Sequence, residues 1–290
     1  MNLHVTLIFG PTAVGKTVYA IEKALKENAE IISADSMQIY RGMNIGTGKP
    51  SEVQRAQVKH YLMDVVNPDE EFSAAKFVQY CQKDMQKISA KGKNILIVGG
   101  TGLYLNALIN GFSFPIGNKN EAFREQLKKE ILQKGLLHFY EELKTKDPQS
   151  ASKIHPNDEL RITRALEIFH ETGKPKSALA QRGQSILPAG YELIELKMER
   201  VALYERINQR VDSMFAQGLV NEVAGLLKQY PKNLTAFAGI GYKEVIAHLD
   251  GQLSLDNCVE LVKKNTRNFA KRQMTWFRKF GNIATLRQTP

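Results

Sequence analysis

At 290 residues and 43% hydrophobic content, the chain is long enough for one large or two modest domains with buried cores. No apolar run approaches the roughly 20 residues that span a bilayer, and the first residues lack a secretory pattern, so membrane and secreted classes are excluded and a cytoplasmic protein is expected. A net charge of +10 points to a polyanionic partner, and the two cysteines, Cys81 and Cys258, lie too far apart for metal-type spacing and fit a reducing compartment.

The first strand is expected over 3–9. It runs into Gly10-Pro11-Thr12-Ala13-Val14-Gly15-Lys16-Thr17, a complete G-x-x-x-x-G-K-[ST] loop, and a helix follows over 15–27. That strand-loop-helix setting separates the motif from a chance glycine-rich turn. Gly10 and Gly15 let the backbone wrap phosphate oxygens. Loop N–H groups and the helix N-terminus aim positive dipoles at the anion. Lys16 adds a full charge and Thr17 offers a hydroxyl to Mg²⁺. The segment therefore predicts binding of a diphosphate or polyphosphate.

Further strands are expected over 30–34, 61–65, 94–98 and 191–198, with helices over 51–57, 73–90 and 102–110 between them. The second and fourth strands are almost wholly apolar, as parallel strands covered on both faces are. This alternation predicts an α/β fold with a doubly wound parallel sheet. Ligands in such sheets sit beyond the carboxyl ends of the strands. Asp35, which follows the second strand, thus lands near the phosphate loop, where a carboxylate holds Mg²⁺, acts as a general base or caps the next turn. The fourth strand ends in Gly99-Gly100-Thr101-Gly102-Leu103-Tyr104, with no metal-binding acid. That disfavours a nucleotide-hydrolysing motor and favours a transferase whose leaving group occupies the loop.

From 116 to 189 the pattern is helical, over 119–134, 136–145, 148–153 and 157–172, then rich in Gly, Pro and Ser over 173–190. This reads as a helical insertion in a core made of 1–115 and 190–290. Arg161 and Arg164, three apart, suit an RNA backbone or a splayed base, and equally suit ion pairs with Asp158 and Glu167. Helices are expected again over 200–216, 219–229, 241–249 and 255–280. Arg206 and Arg210 share one helix face, either toward a phosphate group or toward solvent. Residues 255–290 carry eight Lys and Arg against two acids, interleaved with Phe269, Trp276, Phe277 and Phe280. That mix suits a helix with one face on the core and one on phosphates. Neither His60 nor His155 is assigned a catalytic role.

Taken in order, the segments resemble the tRNA dimethylallyltransferase family, also called tRNA isopentenyltransferase, of bacterial type. The resemblance runs through the phosphate loop, Asp35-Ser36-Met37-Gln38-Ile39-Tyr40, Gly46-Thr47-Gly48-Lys49-Pro50, His60-Tyr61-Leu62-Met63-Asp64 and Gly99 to Tyr104. It continues through His155 to Glu167, Arg206-Ile207 and Arg210, Gly239-Ile240-Gly241-Tyr242-Lys243-Glu244 and Ala270 to Arg278. Tyr61 departs from the commoner His-His pair. The resemblance implies a P-loop NTPase-like core and Mg²⁺ as cofactor. It also implies transfer of a dimethylallyl group from dimethylallyl diphosphate to N6 of the adenosine just 3′ of the anticodon, in tRNAs that read codons beginning with U. It makes Asp35 the general base, Arg210 a diphosphate contact, Thr17 the magnesium ligand, and Gly10 to Thr17 the diphosphate cradle. It places Asp35, Ser36, Met37, Gln38, Thr101, Arg124, Leu160, Arg161, Ile162, Thr163 and Arg164 against the tRNA, with the insertion as the tRNA-gripping domain and no obligate protein partner. A small-molecule or nucleotide kinase shares the loop and the magnesium, yet has no need of the Asp35–Tyr40 segment or a basic insertion. A non-enzymatic RNA-binding module leaves the phosphate loop without a purpose.

Overall fold

Short apolar segments alternate with amphipathic ones, and in the computed structural model they assemble a six-stranded sheet. The structure describes residues 4–111, 120–179, 187, 189–280 and 286–289. The strands are β1 (Val5–Phe9), β2 (Ala29–Ser33), β3 (His60–Tyr61), β4 (Asn94–Gly99), β5 (Glu192–Leu196) and β6 (Leu286–Thr289). They lie in the order β3-β2-β4-β1-β5-β6, every pair parallel. The helices are α1 (Lys16–Lys26), α2 (Glu52–Gln57), α3 (Ala74–Ser89), α4 (Gly102–Asn110), α5 (Glu121–Lys134), α6 (Leu136–Lys146), α7 (Pro148–Ala151), α8 (Glu159–Thr172), α9 (Lys176–Leu179), α10 (Arg200–Ala216), α11 (Leu219–Leu227), α12 (Tyr242–Leu249) and α13 (Leu255–Phe277).

Two compact units result: Met1–Ile109 with Ile186–Pro290, and Asn110–Ser185. The expected boundary at 115/116 lies outside the described residues. In the first unit the two-residue period of the strands divides the core. Leu7, Phe9, Ile32, Ile95, Ile97 and Leu193 face one side, with Phe77 of α3, Leu105 of α4, Val245 of α12 and Val262 of α13. Ile8, Ile31, Leu96 and Ile194 face the other, with Ile21 of α1 and Leu203 and Ile207 of α10. Burying each such side chain contributes about 1.5–3 kcal/mol, which is why an almost continuous apolar strand is tolerated here. Phe9 meets Phe277 and Phe280 edge-on at 5.1 and 5.5 Å, fixing the end of α13 to the strand that leads into the phosphate loop.

In the second unit, α5, α6 and α8 close around Leu127, Phe139, Leu143, Ile162 and Leu166. Asn120 caps α5 through Phe123 N–H, and Asp158 caps α8 through Arg161 N–H. Glu167, on the inner side of α8, is 1% exposed and accepts hydrogen bonds from Arg124 at 2.7 and 2.8 Å and from Arg164 at 2.6 Å.

Three expectations need correction. The third strand was expected over 61–65 but ends at Tyr61. Leu62 and Asp64 take left-handed φ values of 58° and 55°, and the chain turns so that Asp64 and Val65 donate N–H to Gln38 and Ile39 carbonyls. The apolar run misled because Asp64 is needed by Lys49 and Arg55, at 2.6 and 2.8 Å. The last helix stops at Phe277, followed by one turn of 3₁₀ helix over Arg278–Phe280. No strand was expected after it, yet β6 pairs with β5. Its mixed Leu-Arg-Gln-Thr sequence gives no buried-strand signal because it pairs on one side only. Leu3, and 180–186 and 188 of the Gly/Pro/Ser-rich stretch, lie outside the described residues.

Candidate active site

The loop after β1 is shaped by close contacts. A side chain on Gly10 would meet the Leu196 carbonyl oxygen at 2.5 Å, so only glycine lets β1 turn there beside β5. Gly15, at φ 105°, precedes α1 and leaves that helix without a side-chain cap, its N-terminal N–H groups available to an anion. Lys16 folds back, donating to the Gly10 and Pro11 carbonyls at 2.9 and 2.8 Å. Burial pushes its ammonium down to about 8, against the pull of Asp35, and nearby Arg210 lowers it further. Burial likewise lowers Arg210, again opposed by Asp35. Among the described residues neither cation forms an ion pair.

Arg210 extends from α10 to within 3.5 Å of Thr12 Oγ1. Behind it lies Gly48, where a Cβ would run into the guanidinium. Arg206, one turn earlier on α10, lines the same chamber beside Gly15. Both arginines therefore face the phosphate loop.

Asp35 does two things. Its Oδ1 accepts N–H from Met37 at 2.8 Å and Gln38 at 3.4 Å, capping the turn after β2. The carboxylate also borders the chamber, and its charge is felt by Lys16 and Arg210. Ser36 N–H donates to Thr101 Oγ1 at 3.0 Å, joining the turns after β2 and β4. Gln38 is gripped at both ends: Ser33 Oγ donates to its Oε1 at 2.9 Å, and its Nε2 donates to the Gly48 carbonyl at 3.3 Å.

These groups line one chamber of about 680 Å³. Thr12, Lys16, Thr17, Asp35, Arg206 and Arg210 supply polar lining, and Met37, Val211, Met214, Ile240 and Phe269 supply apolar lining. Of the expected residues, Thr12, Ala13, Gly15, Lys16, Thr17, Asp35, Ser36, Met37, Gln38, Thr101 and Arg210 converge there. Gly10 and Pro11 act behind it through their carbonyls, and Val14 packs into the core. Among the described residues no cluster of three or more His, Cys, Asp or Glu side chains forms a metal cage.

The residues expected to meet tRNA from the helical unit divide. Leu160 is 84% exposed, and the exposed Arg161 pairs with Asp158 at 3.2 Å. Arg164 pairs with Glu167, the ion pair the sequence offered, and Arg124 pairs with the same carboxylate. The Thr163 hydroxyl donates to the Glu159 carbonyl. Ile162 corrects the expectation: it is fully buried in the unit's own core and offers no surface to RNA.

Sequence reasoning passed over Gln273. It is 6% exposed on α13, accepts Thr12 N–H at 2.8 Å and donates to the Gly100 carbonyl at 2.9 Å, bridging the phosphate loop to the turn after β4. The signal was present. Ala270, Gln273 and Phe277 share the buried stripe of α13, and an amide in an apolar stripe implies a required partner. Glu222 of α11 was also passed over, and one acid among many surface acids gives no such signal.

A glycine loop at a helix N-terminus, two cations, a carboxylate and a partly apolar chamber suit a phosphate-bearing ligand with an apolar part. Comparison with known proteins makes the class specific. Residues 38–280 match the family model of IPP transferase. The chain is 47% identical over 282 residues to the tRNA dimethylallyltransferase of Acetivibrio thermocellus, spanning 97% of this chain and 90% of that one. It is 45% identical over 284 residues to the tRNA dimethylallyltransferase of Geobacter metallireducens, spanning 97% and 91%. Among solved structures, a eukaryotic dimethylallyltransferase acting on tRNA aligns with a TM-score of 0.83 at 31% identity, over 99% of this chain and 74% of that one. The full-length tRNA isopentenylpyrophosphate transferase of Bacillus halodurans aligns with a TM-score of 0.70 at 38% identity, over 99% and 89%. The chain belongs to the IPP transferase family and is a prenyl-transferring enzyme. The resemblance carried by the ordered motifs is borne out.

Proposed function

We propose that this enzyme transfers the dimethylallyl group of dimethylallyl diphosphate to N6 of the adenosine just 3′ of the anticodon of tRNA. The observation that carries this reading is the convergence of Lys16, Arg210 and Asp35 on one chamber with both apolar and polar lining. The loop N–H groups, Lys16 and Arg210 hold the diphosphate, and the apolar lining takes the five-carbon chain. The N6 lone pair attacks the allylic carbon as its bond to the diphosphate oxygen breaks. The bonding pair leaves with the diphosphate, and the N6 proton passes to the Asp35 carboxylate. Because Arg210 and Lys16 are desolvated before the donor arrives, they stabilise the charge on the leaving oxygen without reorganising.

Thr17 beside a bound diphosphate offers the hard oxygen donors that Mg²⁺ prefers, and Asp35 is the carboxylate bordering the same chamber. Bound there, the ion offsets diphosphate charge. Ser36, Met37, Gln38 and Thr101 form the wall against which a flipped-out adenine is oriented. The helical unit grips the tRNA through its exposed groups, Leu160 and Arg161 first. No described helix is long and apolar enough to cross a membrane, and a cytoplasmic tRNA substrate fits that character.

The test is transfer of label from allyl-labelled dimethylallyl diphosphate to an anticodon stem-loop with adenosines 3′ of the anticodon, against γ-labelled ATP. Label in RNA from the allyl donor alone is expected. Label from ATP alone would move the chain to the kinase class.

A further inference from the structure

The wall behind Arg210 is itself held by one carboxylate. Glu222, in the first turn of α11, accepts backbone N–H groups of Asn44, Ile45 and Gly46 at 2.9, 2.7 and 3.1 Å. It also accepts the Tyr242 hydroxyl at 2.6 Å. Four donors on one side chain place it where an anion sits in a backbone nest. Tyr242 closes the arrangement from the other side: a Cβ on Gly46 would meet its ring at 2.5 Å. Residues 44–46 are thus fixed from α11 and α12 together. Two residues further on, Gly48, at φ 59°, lies against the Arg210 guanidinium with no room for a side chain. Among the described residues, the hydrogen bond Arg210 makes on its open side is a long 3.5 Å contact to Thr12, too weak to fix a long side chain by itself.

We propose that Glu222 is a positioning residue for prenyl transfer: by clamping residues 44–46 it sets Gly48 as the stop that holds Arg210 against the phosphate loop. The inference rests on the proposed role of Arg210 toward the diphosphate. Its chemistry is indirect, because Glu222 touches neither donor nor acceptor. A misplaced guanidinium stabilises developing charge less than it binds ground-state diphosphate, so kcat falls more than KM rises.

A double-mutant cycle tests it, with label transfer from dimethylallyl diphosphate to the stem-loop as readout. Glu222→Ala is expected to lower kcat on the order of 10²-fold. On an Arg210→Ala background the same substitution is expected to cost less than about tenfold, because the group it positions is gone. Equal losses in the two backgrounds, or a loss wholly in KM, would overturn the proposal. Glu222→Gln keeps an acceptor for the loop N–H groups and should fall between wild type and alanine. If Glu222→Ala does not fold, the cycle run with Glu222→Gln is read by the same criterion: a loss that shrinks on the Arg210→Ala background supports the proposal, and an equal loss overturns it. A wild-type enzyme that transfers no label would refute the proposed function instead, which keeps the two failures apart.

Discussion

The two units handle arginine and lysine in opposite ways. In the sheet unit, Lys16 and Arg210 are half-buried beside a chamber and held by carbonyls, a hydroxyl and a glycine wall, with Asp35 acting at a distance. In the helical unit, Arg124 and Arg164 are neutralised by Glu167 at 2.6 to 2.8 Å. Desolvating a cation with no carboxylate in contact is costly, and a bound anion would offset that cost in the first arrangement. The second needs no ligand. It is an internal cross-link between α5 and α8. The same residue type is therefore a candidate for function in one unit and for scaffold in the other, and the partner decides which.

Substitutions break this contrast at different points. The largest effect is expected at Asp35. Asparagine keeps an oxygen to cap Met37 and Gln38 but removes the base, so Asp35→Asn should lower turnover by about 10²–10⁴-fold while RNA affinity is unchanged in a filter-binding titration. Near-wild-type turnover would leave Asp35 as a cap alone. Next is Glu167. Glu167→Gln leaves two arginines facing an amide and should destabilise the helical unit by about 1–3 kcal/mol, read as faster hydrogen exchange in α5 and α8. Diphosphate affinity should not move, and a parallel loss of donor binding would erase the distinction drawn between the units. The sign with pH follows from the arginines holding Glu167 below the usual carboxylate range, against the opposing effect of burial. Its contribution is complete above its unfolded pKa of about 4.3 and is lost as pH falls through the lowered value.

Lys16 comes third. Its ammonium, depressed to about 8 in the free enzyme, carries charge below that pH and loses it above. KM for dimethylallyl diphosphate should therefore climb by up to about tenfold per pH unit above 8, with kcat nearly flat. A constant KM from about pH 7 to about pH 9.5 would mean that Lys16 does not titrate in the free loop. The smallest effect is expected at Arg161. Its pair with Asp158 is exposed and contributes at most about 1 kcal/mol, so Arg161→Ala should leave folding unchanged and reduce the salt slope of tRNA binding by about 1. An unchanged slope would place Arg161 off the RNA.

Much of this was legible in the chain because it is local. The phosphate-loop motif is eight consecutive residues, Gly10 to Thr17. The two-residue and 3.6-residue periods gave the alternation of strands and helices, and the doubly wound parallel sheet follows from it. The ordered motifs carried the family. Three things were not local. β3 is cut short by the partners of Asp64, and β6 lacks an apolar pattern because it lies at the sheet edge. Ile162 sits among residues that face outward, yet belongs to the helical core.

From residue order alone it follows that a phosphate-loop motif opens an α/β sheet and that a helical segment interrupts it, whereas a shared chemistry for Asp35 and Arg210 was an expectation carried by the family resemblance. Which charges are left for a ligand depends on how the chain packs. Gln273 reaches Thr12 across 261 positions, Glu222 gathers three N–H groups from residues 44–46, and Glu167 neutralises two arginines. Apart from the Arg164–Glu167 pair, three residues apart on one helix, these depend on desolvation and on distances of 2.7 to 3.1 Å between segments remote in sequence. A string of residue types carries neither burial nor those distances, whereas it does carry the backbone pattern of a loop.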